Sequence, residues 1–228
     1  MESVIAIGVV AVLLTTFLAV FGPATQGIRR AISIQEADRL VSALEREMQL
    51  LRPDDDSSYE TAFDKAFDWV ANAGDESKAI FLYNFRGDPS SITDGVMDPY
   101  TGETGEPGKE YVLQASVRRK GDTRMDDELE AVSGPVYYVN MRQLVFSDDG
   151  LIVSDEPGSI VDPHNPATKT TDADQYPEAV IAFSAEFYAL KSSSARYIEN
   201  LDLDDDDNNG SPDSLGRPLF TRNMAVRR

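Results

Sequence analysis

The chain has 228 residues and no cysteine, so disulfides play no part in its folding. Its 40 acidic residues outnumber its 21 basic ones, which gives a formal net charge of −19. This charge disfavours nucleic acid as a partner, because such binding depends on Lys and Arg side chains that neutralise phosphates. Divalent cations and basic proteins are the more natural ligands. The lack of cysteine leaves the compartment open, because cytosolic proteins and larger secreted domains both fold without disulfides.

The first predicted element is an uncharged apolar run from Val4 to Phe21. As a helix this run would be about 27 Å long, close to the hydrocarbon thickness of a bilayer. A transmembrane helix is predicted rather than a strand, because a single strand in lipid leaves its backbone groups unpaired. A cleaved signal peptide would need a basic region ahead of the run, whereas the only charge there is the acidic Glu2. A buried core helix is the remaining alternative.

An amphipathic pattern continues beyond the apolar run. Apolar residues recur at helical spacing at Ala37, Val41, Leu44, Met48 and Leu51. The opposite face carries the charged residues Asp38, Arg39, Glu45, Arg46 and Glu47. Because Arg52-Pro53 ends the pattern, residues 1–52 are predicted to form one long helix, transmembrane and then amphipathic. Residues 53–228 are predicted to form an extracytoplasmic head.

The head is predicted to contain a short helix and an antiparallel sheet. Ser57 and Glu60 form a capping-box pattern ahead of a helix over residues 59–73. Alternating patterns predict strands over residues 79–85, 110–118, 136–146, 151–153 and 178–190, with a tight turn at Asp149-Gly150. Polar loops are predicted over residues 87–108 and 155–177. The fold class is therefore α+β: a long N-terminal helix packed on an antiparallel sheet of about four or five strands.

An acidic segment, residues 199–213, lies near the C-terminus and contains seven acids but no Lys or Arg. Four side chains in it have the spacing of a cation-binding loop around Gly210: Asp205, Asp207, Asn209 and Asp213. Alternating oxygens with a glycine at the sixth position wrap a hard cation, and oxygen ligands without His or Cys favour Ca²⁺. The pattern predicts a structural calcium site that is not an EF-hand, because its twelfth position is Gly216. A solvated acidic run is the alternative.

Both ends of the chain resemble type IV pilins and type II secretion pseudopilins. Residues 2–11, ESVIAIGVVA, are similar to the start of the mature proteins of that family. Residues 209–220, NGSPDSLGRPLF, are similar to the family's C-terminal segment. The resemblance implies an apolar helix that continues into a globular head, and a Glu2 that pairs with the terminal amine of a neighbouring subunit. For major pseudopilins it also implies a structural calcium near the C-terminus.

Catalytic motifs are scarce in this sequence. The single histidine, His164, lies in a proline-rich stretch and is predicted to be a loop residue. Without Cys or a second His, zinc sites and Cys–His pairs are excluded. Carboxylate pairs of the kind that glycosidases use are abundant, but none stands out. We therefore predict no enzyme activity and no catalytic or cofactor-binding residue.

The sequence as a whole predicts a structural subunit of a type IV pilus or a secretion pseudopilus. Such a subunit is held in the inner membrane with a periplasmic head, and then assembles with other pilin-like subunits into a surface or periplasm-spanning filament. Arg29 and Arg30 oppose this topology, because basic residues beside a membrane span favour the cytoplasmic side. The main alternative is a single-pass sensor or adhesin with an extracytoplasmic calcium-binding domain.

Overall fold

A computed structural model of the chain describes residues 10, 13–17, 19, 34–35, 38–52, 55–147, 150–154, 158–203 and 214–228. The chain forms two compact units, Met1–Glu36 and Ala37–Arg228. All of the described residues in the first unit are helical. The second unit contains the sheets.

Seven antiparallel strands form the main sheet of the second unit, and two more form a small separate sheet. The strands of the described residues are, in chain order, β1 (Ile80–Thr93), β2 (Val96–Pro99), β3 (Val112–Arg119), β4 (Tyr137–Ser147), β5 (Gly150–Val153), β6 (Val161–Asp162), β7 (Asn165–Lys169), β8 (Val180–Ala189) and β9 (Phe220–Arg227). The path through the main sheet is β2-β1-β4-β8-β9; β3 pairs with β1 and β5 pairs with β4. The small sheet consists of β6 and β7.

The helices of the second unit are short. The described α-helical segments are α1 (residues 38–47), α2 (Ala62–Ala71), α3 (Met125–Glu130) and α4 (Ala195–Glu199). Single turns of 3₁₀-helix lie at Glu76–Lys78 and Ala173–Gln175. A capping box starts α2, but it uses Thr61 and Asp64 rather than the predicted Ser57 and Glu60. The Thr61 hydroxyl accepts from the Asp64 N–H at 3.2 Å, and the Asp64 carboxylate accepts from the Thr61 N–H at 2.7 Å.

The main sheet is covered by an apolar core on each face, because successive side chains of a strand point to opposite faces. On one face, Ile80 and Leu82 of β1 belong to a core that includes residues of α1 and α2. On the other face, Phe81, Tyr83 and Phe85 belong to a core that includes residues of α3 and α4. The long apolar run at the start of β1 is therefore explained by burial on both sides.

The amphipathic stripe predicted for α1 is confirmed in its centre. Val41, Leu44 and Met48 are all buried in the core on that face of the sheet. Leu51, in contrast, is 40 % exposed, and Ala37 lies outside the described residues. Glu47 differs most from the prediction: the pattern places it on the polar face, yet it is only 3 % exposed.

The predicted fold class is wrong. The described residues contain no long N-terminal helix, and form instead a seven-stranded antiparallel sheet with α-helices of five to ten residues. None of the described helices is long and apolar enough to cross a membrane. Hydrophobic periodicity identifies the helical residues of each described stretch, but strands rather than helices make up most of the described chain. The sheet also has more strands than the four or five predicted.

Part of the additional strand content is a hairpin within residues 87–108, where a loop is predicted. The second half of β1 pairs with β2 through a turn at Asp94-Gly95, and both of these residues have positive φ. An Asp-Gly turn of this kind favours a two-residue hairpin. The Asp98 carboxylate strengthens it by accepting hydrogen bonds from the hydroxyls of Ser91 at 2.7 Å and Thr93 at 2.9 Å. These bonds lower the pKa of Asp98 below its usual value.

A buried ammonium group joins α1, α2 and the segment between them. Lys65 of α2 is fully buried. Its Nζ donates to Glu47 Oε1 at 2.6 Å, to Asp55 Oδ2 at 2.8 Å and to the carbonyl oxygen of Leu50 at 3.3 Å. The same Nζ lies 5.1 Å from the ring centroid of Trp69, within the range of a cation–π interaction. Since a buried charge is stable only when it is paired and hydrogen-bonded, Lys65 explains why Glu47 is buried.

A second buried ion pair holds α3 against the other face. Glu128 is fully buried and accepts from Arg118 Nη2 at 2.7 Å. It also accepts from the hydroxyls of Ser116 at 2.6 Å and Tyr83 at 2.9 Å. Burial, together with the nearby Glu128 carboxylate, raises the pKa of the Tyr83 phenol well above its usual value.

The first prediction concerns the Lys65 cluster. Lys65→Met removes the cation that Glu47 and Asp55 share and leaves Glu47 paired only with the partly exposed Arg52. We therefore expect a loss of about 3 kcal/mol or more in the free energy of unfolding, measured by urea denaturation. Lys109→Met is the matched control, because the Lys109 side chain is 71 % exposed beside Glu106. The control should change stability by less than about 1 kcal/mol. Equal effects of the two substitutions would contradict the assigned role of Lys65.

The second prediction concerns alkaline pH. Because Tyr83 and Tyr138 have raised pKa values in the fold, they stay protonated at a pH where the unfolded chain ionises, above about 10. Their contribution is therefore complete below that pH and decreases as the pH rises further. The urea midpoint should fall between pH 9 and pH 11, with a smaller fall for Tyr83→Phe. Identical falls in the two proteins would refute the linkage to Tyr83.

Candidate functional site

The residues predicted to be functional from the sequence lie outside the described residues. These are the assembly residue Glu2 and the four calcium ligands Asp205, Asp207, Asn209 and Asp213. Both functions therefore stay predictions. The structure does describe residues that follow Glu2 in the first unit and residues on both sides of the acidic segment in the second.

The helical residues of the first unit expose large apolar side chains. Val10, Leu13, Leu14 and Phe17 are between 55 and 64 % exposed. Residues 10, 14 and 17 lie on one side of a helix, since residues three and four apart are neighbours on its surface. An exposed group of apolar side chains marks a contact with another protein or with lipid. This surface is the candidate site of assembly.

The acidic segment starts and ends on the same core. Leu201 is buried in the core that contains α3 and α4, and Leu203 and Leu215 pack against it. The Ser214 hydroxyl donates to the carbonyl oxygen of Asp202 at 2.5 Å. These contacts bring the two ends of the segment together, which removes part of the entropic cost of closing a loop around a ligand. The carboxylate and amide oxygens between these ends are the ligands that Ca²⁺ prefers.

The rest of the described chain offers no comparable metal site. Within the described ranges, no group of three or more His, Cys, Asp or Glu side chains has the geometry to hold a metal ion. His164 lies in the turn between β6 and β7, as the loop prediction requires. Its ring stacks on Phe146 with centroids 5.0 Å apart, and its Nε2 lies 3.1 Å from Glu178 Oε1. Because the imidazole is 64 % exposed, it resembles a surface contact more than a buried catalytic base.

A cleft of about 360 Å³ lies beside the Lys65 cluster. Its charged lining is balanced, with the cations Lys78, Arg118, Arg119 and Lys120 and the acids Glu47, Asp55, Asp56 and Asp122. Arg119 lies over the Trp69 ring, at 5.6 Å from its centroid, and Nη1 donates to Asp68 Oδ2 at 2.6 Å. The other terminal nitrogen, Nη2, is buried without a hydrogen-bond partner among the described residues. Equal numbers of cations and acids give the cleft no clear preference for one ligand charge.

The sequence alone does not reveal this cleft, because five separate segments of the chain contribute to it, among them α1 through Glu47. Asp55 and Tyr59 precede α2, Trp69 lies on α2, Lys78 precedes β1, and residues 117–123 end β3 and start the following turn. No local motif connects these segments. The nearest local signal is the pair Arg118-Arg119, whose two side chains lie on opposite faces of β3 and pair with different acids.

Comparison with protein-family models, curated proteins and solved structures finds no match to this chain. The two terminal motifs and the geometry of the described residues are therefore what supports a function.

The third prediction concerns calcium. If the acidic segment holds a structural Ca²⁺ ion, removing the ion with EGTA should lower the melting temperature by about 5 °C or more, because a ligand bound only by the folded state stabilises it. Asp205→Ala should have the same effect in the presence of Ca²⁺ and should make EGTA ineffective. Asp126→Ala removes an exposed acid of α3 and is the control. No change with EGTA, and none with Asp205→Ala, would show that the segment holds no structural calcium.

Proposed function

We propose that this protein is a structural subunit, not an enzyme, of a type IV pilus or a secretion pseudopilus. The observation that carries the proposal is the exposed apolar surface of Val10, Leu13, Leu14 and Phe17 in helical residues of the first unit. In water such a surface is unfavourable, at about 25 cal/mol for each Å² of apolar area left uncovered. If the subunit lies in lipid before assembly and packs against other subunits after it, this surface is covered in both states.

Before assembly, the apolar segment Val4–Phe21 holds the subunit in the inner membrane, with the second unit outside the cytoplasm. During assembly, the apolar segments of neighbouring pilin-like subunits replace lipid around it. Glu2 precedes this segment, where an unpaired carboxylate is costly. A neighbouring subunit's terminal amine provides the partner that the resemblance implies.

The second unit supports a structural role. Its fully buried charged groups, Lys65 and Glu128, bind partners on other elements of the same unit. Each cluster joins a helix to neighbouring elements of the unit. The charged atoms in each cluster bind these internal partners. A rigid head of this kind suits a subunit that is packed repeatedly into a filament. A calcium ion in the acidic segment would stabilise the head further.

The fourth prediction tests assembly through Glu2. We expect Glu2→Ala to reduce the number of filaments at least tenfold, because the carboxylate that selects a neighbour's amine is lost, while the amount of protein in the membrane fraction stays unchanged. Filaments are counted by negative-stain electron microscopy of cells that assemble the protein. Asp38→Ala, an exposed acid of α1, should leave the count unchanged.

The same experiment distinguishes the proposed function from the alternative one. A membrane-anchored adhesin or sensor keeps its apolar segment in lipid, so it forms no filament that Glu2 could influence. Filaments at the normal count with Glu2→Ala would show that Glu2 has no role in assembly. A protein that stays wholly in the membrane fraction, without filaments in any variant, would favour the anchored sensor or adhesin.

A further inference from the structure

The strand β3 (Val112–Arg119) forms an edge of the main sheet. It pairs with β1 over its whole length, and the register of this pair is unbroken by a bulge. No described strand pairs with the other side of β3. An edge strand presents unpaired N–H and C=O groups to which another strand can add. The sheet can therefore be extended at β3.

The backbone groups that point outward from this edge belong to Leu113, Ala115 and Val117. One step beyond the ladder with β1, the Lys120 N–H donates to the carbonyl oxygen of Ala79 at 2.7 Å. Residues of an antiparallel ladder alternate between pairs that exchange hydrogen bonds and pairs that do not. The even-numbered residues of β3 therefore bond to β1, and the backbone groups of the odd-numbered residues point away from it.

Local turns use the backbone at both ends of this edge. The carbonyl oxygen of Tyr111 accepts from the Gly108 N–H at 2.7 Å, and that of Arg119 accepts from the Asp122 N–H at 3.0 Å. Between these turns, no backbone group of a described residue bonds to the outward side of β3. We refer to residues 113–117, between the two turns, as the free edge.

The free edge lacks the features that normally prevent sheet edges from pairing. Edge strands are usually protected by proline, by charged side chains or by a bulge. The sequence of residues 113–117, LQASV, contains no proline and no charge. Leu113 is 54 % exposed, and Ala115 on the same face is exposed as well. By contrast, the edge strand β9 carries the exposed Arg222 and Arg227. An unprotected apolar edge of this kind indicates that another strand covers it.

A second copy of the chain complements the free edge along its whole length. In an antiparallel pair centred on Ala115, Leu113 lies opposite Val117 of the second copy, and Ala115 lies opposite Ala115. On the other face of the sheet, Gln114 lies opposite Ser116. Apolar side chains therefore meet apolar ones and polar side chains meet polar ones, as favourable cross-strand pairs require. The free edge is thus complementary to itself.

This register is also the one that uses every outward backbone group. Each opposed pair of Leu113, Ala115 and Val117 exchanges two N–H···O bonds. A shift by two residues in either direction places one of them opposite Tyr111 or Arg119, whose carbonyl oxygens are already used in the turns. A shift by one residue turns the apolar side chains to the opposite face.

Charges beside the free edge agree with the same register. Glu110 precedes β3, and Lys120 follows it. With Ala115 at the centre, Glu110 of one copy comes near Lys120 of the other, so that opposite charges meet at both ends of the contact. Lys120 already pairs with Glu76 at 2.7 Å, so Glu110 would be its second acidic neighbour.

We propose that two copies of the second unit join through their free edges, as an antiparallel two-fold pair centred on Ala115. The two seven-stranded sheets then continue into each other across the contact. A two-fold contact uses the same surface on both copies and closes on itself. The inference goes beyond the proposed function, because the contact needs neither Glu2 nor the apolar segment Val4–Phe21.

The fifth prediction uses the absence of cysteine. Ala115→Cys places two thiols opposite each other, with Cα atoms about 5.5 Å apart, which a disulfide can span. Leu113→Cys is the matched control on the same face of the same strand. In the proposed pair its counterpart is displaced by four residues, or about 13 Å along the strand. After mild oxidation of the full-length chains in detergent, we expect at least tenfold more disulfide-linked dimer with Ala115→Cys, measured on a non-reducing gel.

Charge substitution at Ala115 tests the same register without a disulfide. Full-length chains with different tags are mixed in detergent, and the fraction that purifies together is measured. A chain with Ala115→Glu should purify with a chain carrying Ala115→Lys at least threefold more than with a second Ala115→Glu chain, because like charges directly opposite each other repel. The apolar segment is the same in every mixture. Because Ala115 is exposed, the urea midpoint of each variant should stay close to that of the unmodified chain.

Either experiment can overturn the proposal. Equal dimer yields for Ala115→Cys and Leu113→Cys, or a higher yield for Leu113→Cys, would show that the free edges do not meet at Ala115. Equal recovery of the like-charged and oppositely charged mixtures would show the same. Filament assembly is tested separately through Glu2→Ala, so failure of this contact leaves the proposed function standing, and failure of the filament experiment leaves the contact standing.

Discussion

The arrangement of the second unit depends first on the buried ammonium group of Lys65. An ammonium ion without water is unstable by several kcal/mol unless anions and carbonyl groups surround it. Glu47 of α1, Asp55 and the carbonyl oxygen of Leu50 provide these partners, so α1 and the chain after it are drawn to α2. Once α1 is fixed in this way, Leu44 and Met48 complete the core against the sheet. The polar contact determines where α1 lies, and the apolar contacts provide most of the stability.

Basic residues of the second unit pair with acids both in its interior and near its surface. Lys65 and Arg118 neutralise acids inside the second unit, and Arg119 and Lys120 pair with acids at its margin. Arg222 and Arg227 of β9 are exposed and form no ion pair with a described residue. Molecules of net charge −19 repel one another in water, which opposes non-specific association.

The sequence predicts features that depend on local chemistry and misses those that depend on distant partners. The centre of the α1 stripe and the strands β3, β4 and β8 follow from periodicity and are close to their predicted bounds. The hairpin at Asp94-Gly95 has a clear local signal, but its flanking Asp, Ser and Pro residues have low strand propensity and predict a loop. Glu47 is placed on the wrong face because its partner Lys65 is 18 residues away. The cleft at Arg119 is assembled from five segments, so no single stretch of sequence can indicate it.

In the proposed filament, the apolar segments of neighbouring subunits meet in an interior without water. Apolar packing is not directional, so by itself it leaves the axial position of a neighbouring segment open. A carboxylate that leaves water is stable only beside an opposite charge, so a pair between Glu2 and a neighbour's terminal amine would fix that position. One polar contact inside an apolar interface would then select the arrangement, as the buried Lys65 does for α1 within the second unit.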